Sequence, residues 1–257
     1  MTPPTVPSSA VPPPGLSLPG ALSPGDSAAL AARIAAVQDS LAAAAIAAGR
    51  DPATVKLLPV SKTHPAGVVA EAARLAGWKR FAENRPQELA AKAETLAGQG
   101  LDWVLIGPLQ TNKAGLAARH AAQFQALDSL ATAAVLDRRL QAAGRGMEVM
   151  IEVNTSGEAA KHGVAPADAL ALARGLAPYS ALRPVGLMTV ALDSRDEQAV
   201  RACFARLRTV QQQLRDDGAG NSAWPELSMG MSGDFAWAVA EGSTMVRIGT
   251  AIFGRRQ

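Results

Sequence analysis

The sequence has few of the residues on which several common classes of protein depend. Cys203 is the only cysteine among 257 residues, which excludes an intrachain disulfide and a cysteine metal cluster and favours a reducing cytoplasm. Aromatic residues make up 4% of the chain and are not interleaved with basic residues, so the net charge of +3 does not indicate nucleic-acid binding. His64, His120 and His162 are far apart and lack the spacing of metal ligands.

The N-terminal region also lacks the pattern of a signal peptide. Residues 1–26 are rich in proline and have no basic start followed by an apolar block. The most apolar stretch, "SLAAAAIAAG", is short and mostly alanine, too weak to span a bilayer. We therefore predict a disordered tail over residues 1–26, a folded domain over 27–257, a cytoplasmic location, and neither a membrane nor a nucleic-acid partner.

The chain after residue 26 alternates short apolar runs with segments of helical period. Leu30, Ile34, Val37 and Leu41 share the face of a first helix, which Gly49 ends. Eight apolar runs follow, at 56–61, 79–83, 101–106, 123–127, 147–153, 182–189, 226–229 and 244–248. This count predicts a single α/β domain, a (β/α)8 barrel of the TIM type with an extra N-terminal helix. A doubly wound open sheet is the alternative, but the first run ends in "SKTHP", without the glycine-rich fingerprint.

Lys62 lies where the first apolar run ends, in "KLLPVSKTHP". In a barrel the loops after the strands form the active face, and partial burial there raises the neutral fraction of a lysine amine. A neutral amine can form a Schiff base with an aldehyde or ketone. Lys62 is therefore either a nucleophile or the residue at which the strand reaches water. Lys113 and Lys161 are retained in the same arginine-rich background and carry the same two interpretations.

The end of the chain, "ELSMGMSGDFAWAVAEGSTMVRIGTAIFG", places small residues and hydroxyls after the last two predicted strands. Barrels often bind phosphate at this place, at the N-terminus of a short helix. Ser228, Ser232, Gly249 and Thr250 are the candidate donors, although ordinary turns use the same residue types. Arg247 lies within the last strand, where an inward-facing arginine needs a ligand or an acid and an outward-facing one would pair with a helix carboxylate.

A Schiff-base lysine combined with a phosphate site after the last two strands suggests pyridoxal 5′-phosphate. The sequence resembles the pyridoxal phosphate homeostasis protein family, whose fold is like the N-terminal barrel of alanine racemase. The matching segments run in order from about residue 27 to 254 and leave only the tail uncovered. They are "VSKTHP", "FAENRPQE", "WVLIGPLQTNK", "EVNTSGEAAKHGV", "GLMTV" and "LSMGMSGDFAWAVAEGSTMVRIGTAIFG".

The resemblance implies which residues hold the cofactor. Lys62 would carry pyridoxal phosphate as an aldimine, and Asn84 would lie beside the cofactor ring. Ser228, Gly249 and Thr250 would bind the phosphate group.

Two further side chains, Arg247 and Lys161, receive roles from the same resemblance. Arg247 would face the pyridine nitrogen, where a fixed cation opposes ring protonation and makes the cofactor a poorer electron sink. Lys161 would be a second lysine near the mouth of the barrel, able to accept or pass on the aldehyde. Pro86 and Gly233 depart from the usual family pattern; a proline is tolerated at a helix start, so Pro86 affects only the local geometry.

The implied function is that of a non-catalytic carrier, a monomer that holds pyridoxal phosphate and supplies it to apo-enzymes in vitamin B6 homeostasis. In alanine racemase a tyrosine from a second domain provides one of two bases. Here the chain ends soon after the barrel, and Tyr179, the only tyrosine, is expected on the opposite face. The alternatives are a weak pyridoxal-phosphate-dependent racemase or related enzyme, and a lysine aldolase acting on sugar phosphates.

Overall fold

A computed structural model of the chain describes residues 18–254, which form a nearly closed parallel barrel with helices outside it. Each strand from β2 to β8 pairs in parallel with the next, and β8 pairs with β1. Between β1 and β2 the ring is completed by a single parallel bridge, from Val60 to Ala82. The eight strands of the described residues are β1 (Lys56–Pro59), β2 (Arg80–Glu83), β3 (Asp102–Leu105), β4 (Ala121–Leu127), β5 (Met147–Glu152), β6 (Leu182–Met188), β7 (Glu226–Ser228) and β8 (Met245–Ile248). The predicted barrel is confirmed, and the open sheet is wrong.

Helices follow the strands and cover the outside of the barrel. They are α1 (Pro24–Ala47), α2 (Ala66–Ala76), α3 (Pro86–Thr95), α4 (Ala114–His120), α5 (Leu130–Ala142), α6 (Ala169–Gly175), α7 (Glu197–Asp217), α8 (Phe235–Ala240) and α9 (Thr250–Phe253). Short 3-10 turns occur at Pro52–Thr54, Thr111–Lys113, Pro166–Asp168 and Ala219–Asn221. Seven of the eight predicted apolar runs contain a whole strand, and the run 123–127 covers all of β4 except its first two residues. The apolar residues of the runs are mostly buried, since strands of a parallel barrel are covered on both faces.

Helix α1 precedes the barrel and packs on its outside, against α2, α8 and α9. Its buried residues are those of the predicted face, Leu30, Ile34, Val37 and Leu41, with Ala45. By length and composition α1 could also cross a membrane, but a single such helix is weak evidence, since core helices pass the same test. The cytoplasmic location stays a prediction.

The segment just before α1 makes contacts that the tail prediction did not include. Residues 1–17 of the predicted tail lie outside the described residues. Helix α1 begins at Pro24, which suits a first helical turn, and the Ser23 hydroxyl accepts a hydrogen bond from the Asp26 amide at 3.2 Å. The Pro19 carbonyl accepts a hydrogen bond from the Gly67 amide at 2.9 Å. The described structure is therefore helical from Pro24, within the predicted tail, while the domain boundary at position 27 stays a prediction.

Candidate functional site at the carboxyl ends of the strands

A cavity of about 870 Å³ opens at the carboxyl ends of the strands. Six of the predicted site residues line it: Lys62, Asn84, Ser232, Arg247, Gly249 and Thr250. Gly233, which like Ser232 belongs to the loop between β7 and α8, also lines it. The parallel barrel brings these residues together because the carboxyl ends of all its strands share one face.

Lys62 is half-buried at this cavity, two residues beyond the end of the bridge between β1 and β2. Among the described residues, none forms a hydrogen bond or an ion pair with its Nζ atom. The next residue, Thr63, has a φ of 69°, which is a costly conformation for a β-branched residue. The loop that carries Lys62 is therefore held in place by other contacts.

A buried ionic cluster between α3 and this loop supplies those contacts. Lys92 Nζ donates to the Ser61 carbonyl at 2.7 Å, to Glu83 Oε1 at 2.6 Å and to Glu88 Oε1 at 2.9 Å. Glu88 in turn accepts a hydrogen bond from the Thr63 amide, which fixes the residue that follows Lys62. Burial raises the pKa of Glu83 to about 7, against the opposing effect of Lys92. Sequence reasoning missed this cluster; its only signal was the Glu88–Lys92 spacing of four on a helix.

Arg247 faces the barrel interior and is only 4% exposed. Its Nη1 atom donates to the Ser228 carbonyl at 2.6 Å and to Ser228 Oγ at 2.8 Å, and Nη2 donates to the Thr189 carbonyl at 2.7 Å. These three bonds leave two guanidinium N–H groups without a partner among the described residues. Burial lowers the pKa of Arg247 to about 10, with Glu152 and Asp234 acting in the opposite direction. Arg247 is thus a fixed cation at the cavity.

Ser228 lies at the end of β7, with its side chain inside the barrel. It is fully buried and is not among the described residues that line the cavity. Its hydroxyl donates to Gln125 Oε1 at 2.7 Å and accepts from Arg247 Nη1 at 2.8 Å, so its only O–H donor is already in use. The binding of the phosphate by Ser228 stays a prediction, while the hydroxyl-bearing candidates that line the cavity are Ser232 and Thr250.

Lys161 is near the mouth of the barrel but likewise does not line the cavity as far as the described residues show. Its Nζ atom donates to the Ala191 carbonyl at 2.8 Å and pairs with Glu158 at 2.5 Å. Lys161 thereby ties the loop after β5 to the loop after β6, whose residue Val190 does line the cavity. The predicted handling of the aldehyde by Lys161 stays a prediction, and it requires these two contacts to break.

Known proteins with a similar sequence belong to the class of barrel that the geometry indicates. The family model described as alanine racemase, N-terminal domain, matches residues 26–257, which places the chain among barrels of that type. A curated relative from Pseudomonas aeruginosa, named pyridoxal phosphate homeostasis protein, is 44% identical over 227 residues, covering 88% of this chain and 96% of that protein. The chain belongs to the pyridoxal phosphate homeostasis protein family, and the resemblance found in its sequence is confirmed.

Two solved structures are similar over nearly the whole barrel. A protein from Bifidobacterium adolescentis described as unknown has a TM-score of 0.87 and 35% identity, covering 92% of this chain and 99% of that one. PipY from Synechococcus elongatus, solved with PLP bound, has a TM-score of 0.76 and 35% identity, covering 88% of this chain and all of that one.

Proposed function

We propose that this protein binds pyridoxal 5′-phosphate at the strand-end cavity and takes part in intracellular vitamin B6 homeostasis. The observation that carries the proposal is the position of Lys62, a primary amine without a partner among the described residues, on the wall of one cavity with the candidate phosphate donors. The names of the relatives and the PLP bound to PipY support the same ligand.

The residues at the cavity fit the chemistry of this cofactor. Ser232 and Thr250 offer hydroxyls, and Gly233 and Gly249, near the starts of α8 and α9, have no side chain to cover their backbone amides, which suits a phosphate dianion. The volume of about 870 Å³ lies within the range of small-molecule sites. The cofactor supplies an aldehyde, with which the Lys62 amine would form a Schiff base.

The charge at Arg247 supports a carrier rather than an enzyme. A buried arginine that stays protonated at neutral pH would oppose protonation of a neighbouring pyridine nitrogen, which weakens the cofactor as an electron sink. Tyr179 precedes β6 and so lies at the amino ends of the strands, opposite the cavity. We therefore infer that the protein holds pyridoxal phosphate and releases it to apo-enzymes.

One observation favours an enzymatic alternative. Both Lys62 and His64 line the cavity, and each is a group that can move a proton to or from a substrate carbon. A weak amino-acid racemase or related enzyme would exchange the α-deuterium of a labelled amino acid for solvent hydrogen in a way that depends on Lys62. A carrier would leave the label in place.

The absorption spectrum of the purified protein, before and after borohydride, tests the proposal. We expect a visible band that borohydride removes, with the reduced cofactor then found on Lys62 by peptide mass. Lys62→Ala should lose the band, whereas Lys161→Ala, which removes an amine outside the cavity wall, should keep it. A wild-type protein that stays colourless with added pyridoxal phosphate would contradict the proposal, and full activity on a sugar phosphate in that state would indicate a lysine aldolase.

A further inference from the structure

A continuous chain of hydrogen bonds runs through the inside of the barrel, away from the cavity. It begins at Arg247 Nη1, which donates to Ser228 Oγ at 2.8 Å, and Ser228 Oγ donates to Gln125 Oε1 at 2.7 Å. Gln125 Nε2 donates to Gln123 Oε1 at 2.7 Å, and Gln123 Nε2 donates to Glu148 Oε2 at 3.0 Å. The chain thus connects a buried cation at the cavity to a carboxylate at the amino end of β5.

The chemistry of the two ends fixes the direction of every bond in this chain. Arg247 can only donate, and an ionised Glu148 can only accept. Gln123 must therefore present its amide nitrogen to Glu148, and its oxygen is then left to accept from Gln125. Gln125 Oε1 must in turn accept the hydrogen bond that Ser228 Oγ donates. All donors point the same way, so each bond polarises the next one.

The barrel interior is an unusual place for such a chain. Gln123, Gln125 and Ser228 are fully buried, in positions where barrels of this type usually carry branched apolar side chains. Buried amides and hydroxyls are tolerated only when they are hydrogen-bonded, and each of these three is bonded on both sides. At the far end Glu148 is also held by Arg183 at 2.7 Å and by Arg80 at 3.3 Å.

We propose that Gln125 and Gln123 are positioning residues that hold Arg247 in its place at the cavity. Gln125 Oε1 accepts the hydrogen bond that the Ser228 hydroxyl donates. This orients the hydroxyl so that a lone pair of its oxygen faces Arg247 Nη1. Without Gln125 the Ser228 hydroxyl has no fixed acceptor and can rotate, which weakens its bond to Arg247 Nη1 and leaves Arg247 held only by the carbonyls of Ser228 and Thr189. This inference rests on the proposed function where it concerns the cofactor: Gln125 tunes the bound cofactor through Ser228 and Arg247 without touching it.

Gln125→Met tests the proposal, with Gln211→Met as the matched control. Gln211 is likewise a buried glutamine, and its side chain donates one hydrogen bond, to the Trp224 carbonyl at 2.6 Å; it lies on α7, outside the chain of hydrogen bonds. We expect Gln125→Met to weaken pyridoxal phosphate binding roughly tenfold and to shift the absorption maximum of the bound cofactor, since a hydrogen bond that supports a charged group is lost. Gln211→Met should change only the melting temperature. Equal dissociation constants and spectra for Gln125→Met and wild type would overturn the proposal.

A measurement without cofactor separates this inference from the proposed function. In nitrogen-15 spectra of the cofactor-free protein, the Nη groups of Arg247, assigned by their loss in Arg247→Lys, should shift in Gln125→Met and stay unchanged in Gln211→Met. Unchanged Arg247 signals in Gln125→Met would overturn the positioning role. If Gln125→Met does not fold, Gln123→Met should give a smaller shift of the same signals. A wild type that binds no pyridoxal phosphate would contradict the proposed function, whereas these spectra would still test whether the chain of hydrogen bonds positions Arg247.

Discussion

Glu152 is a carboxylate inside the barrel mouth for which the described residues provide no hydrogen-bond donor. It is 7% exposed at the end of β5. Burial raises its pKa to about 7; the Arg247 charge opposes this shift and the Asp128 charge adds to it. Burial therefore disfavours the ionised form of the Glu152 carboxyl at neutral pH. Because the unfolded chain does not have this penalty, Glu152 makes the free energy of unfolding depend on pH.

Replacing Glu152 by glutamine should remove that pH dependence. A folded-state pKa of about 7, above the usual 4.5, means that the unfolded chain loses the proton first as pH rises. The contribution of Glu152 to the free energy of unfolding is then greatest below about pH 4.5 and falls, by at most about 1.4 kcal/mol per pH unit, until pH 7. Urea unfolding at pH 5 and pH 8 should therefore show Glu152→Gln gaining on wild type at the higher pH.

Comparing Glu152→Gln with wild type also removes the contribution of a second buried carboxyl, that of Glu83. Glu83, whose pKa burial also raises to about 7, is present in both proteins, so its effect cancels in the difference. A difference between Glu152→Gln and wild type that is the same at both pH values would contradict the prediction.

At the scale of elements, the ends of β2 and β3 approach so closely that only glycine fits between them. A Cβ atom on Gly107 would collide with the backbone of Asn84, the residue that follows β2 and lines the cavity. The small residue after β3 therefore sets the position of Asn84.

Gly107→Ala should consequently lower both stability and cofactor binding. We expect a loss of about 1–3 kcal/mol in the free energy of unfolding, as for other overpacked sites, and weaker binding because Asn84 is displaced. Gly115→Ala is the control, since a Cβ on this glycine of α4 would meet open space. That variant should gain up to about 1 kcal/mol from helix propensity and keep its binding. Similar behaviour of the two variants in urea unfolding and cofactor titration would argue against the close approach.

At the scale of the whole molecule, the described surface offers little apolar area for pairing with a second copy. The exposed large hydrophobic residues are Ile46, Leu130 and Met231, and each lies in a different element or loop. Stable interfaces between copies need a contiguous apolar centre, which three scattered side chains do not provide.

We therefore expect sedimentation velocity to give a single species with the mass of one chain. Ile46→Glu, which changes the most exposed of the three residues at 66%, should leave that mass unchanged. A heavier species in wild type that Ile46→Glu converts to a lighter one would contradict the prediction and identify the outer face of α1 as the interface.

The sequence by itself favoured the barrel over an open sheet and indicated much of its cavity. Eight apolar runs separated by helical segments predicted eight parallel strands, and the parallel strands of a barrel put their carboxyl ends on one face. Lys62 and Thr250, which follow those ends, could therefore be assigned to one site from the pattern, and Asn84 through the family resemblance; all three line the cavity.

Only the tertiary structure decided which side chains meet across the barrel. Alternation along a strand divides residues between two faces, but the partners of an interior residue depend on the tilt and stagger with which the strands close. The sequence could not show that Ser228 contacts Arg247 and is hydrogen-bonded to Gln125, which lies on β4, 103 residues earlier. Nor could it show Lys161 held by the Ala191 carbonyl, because loop conformations arise from contacts that no local pattern encodes.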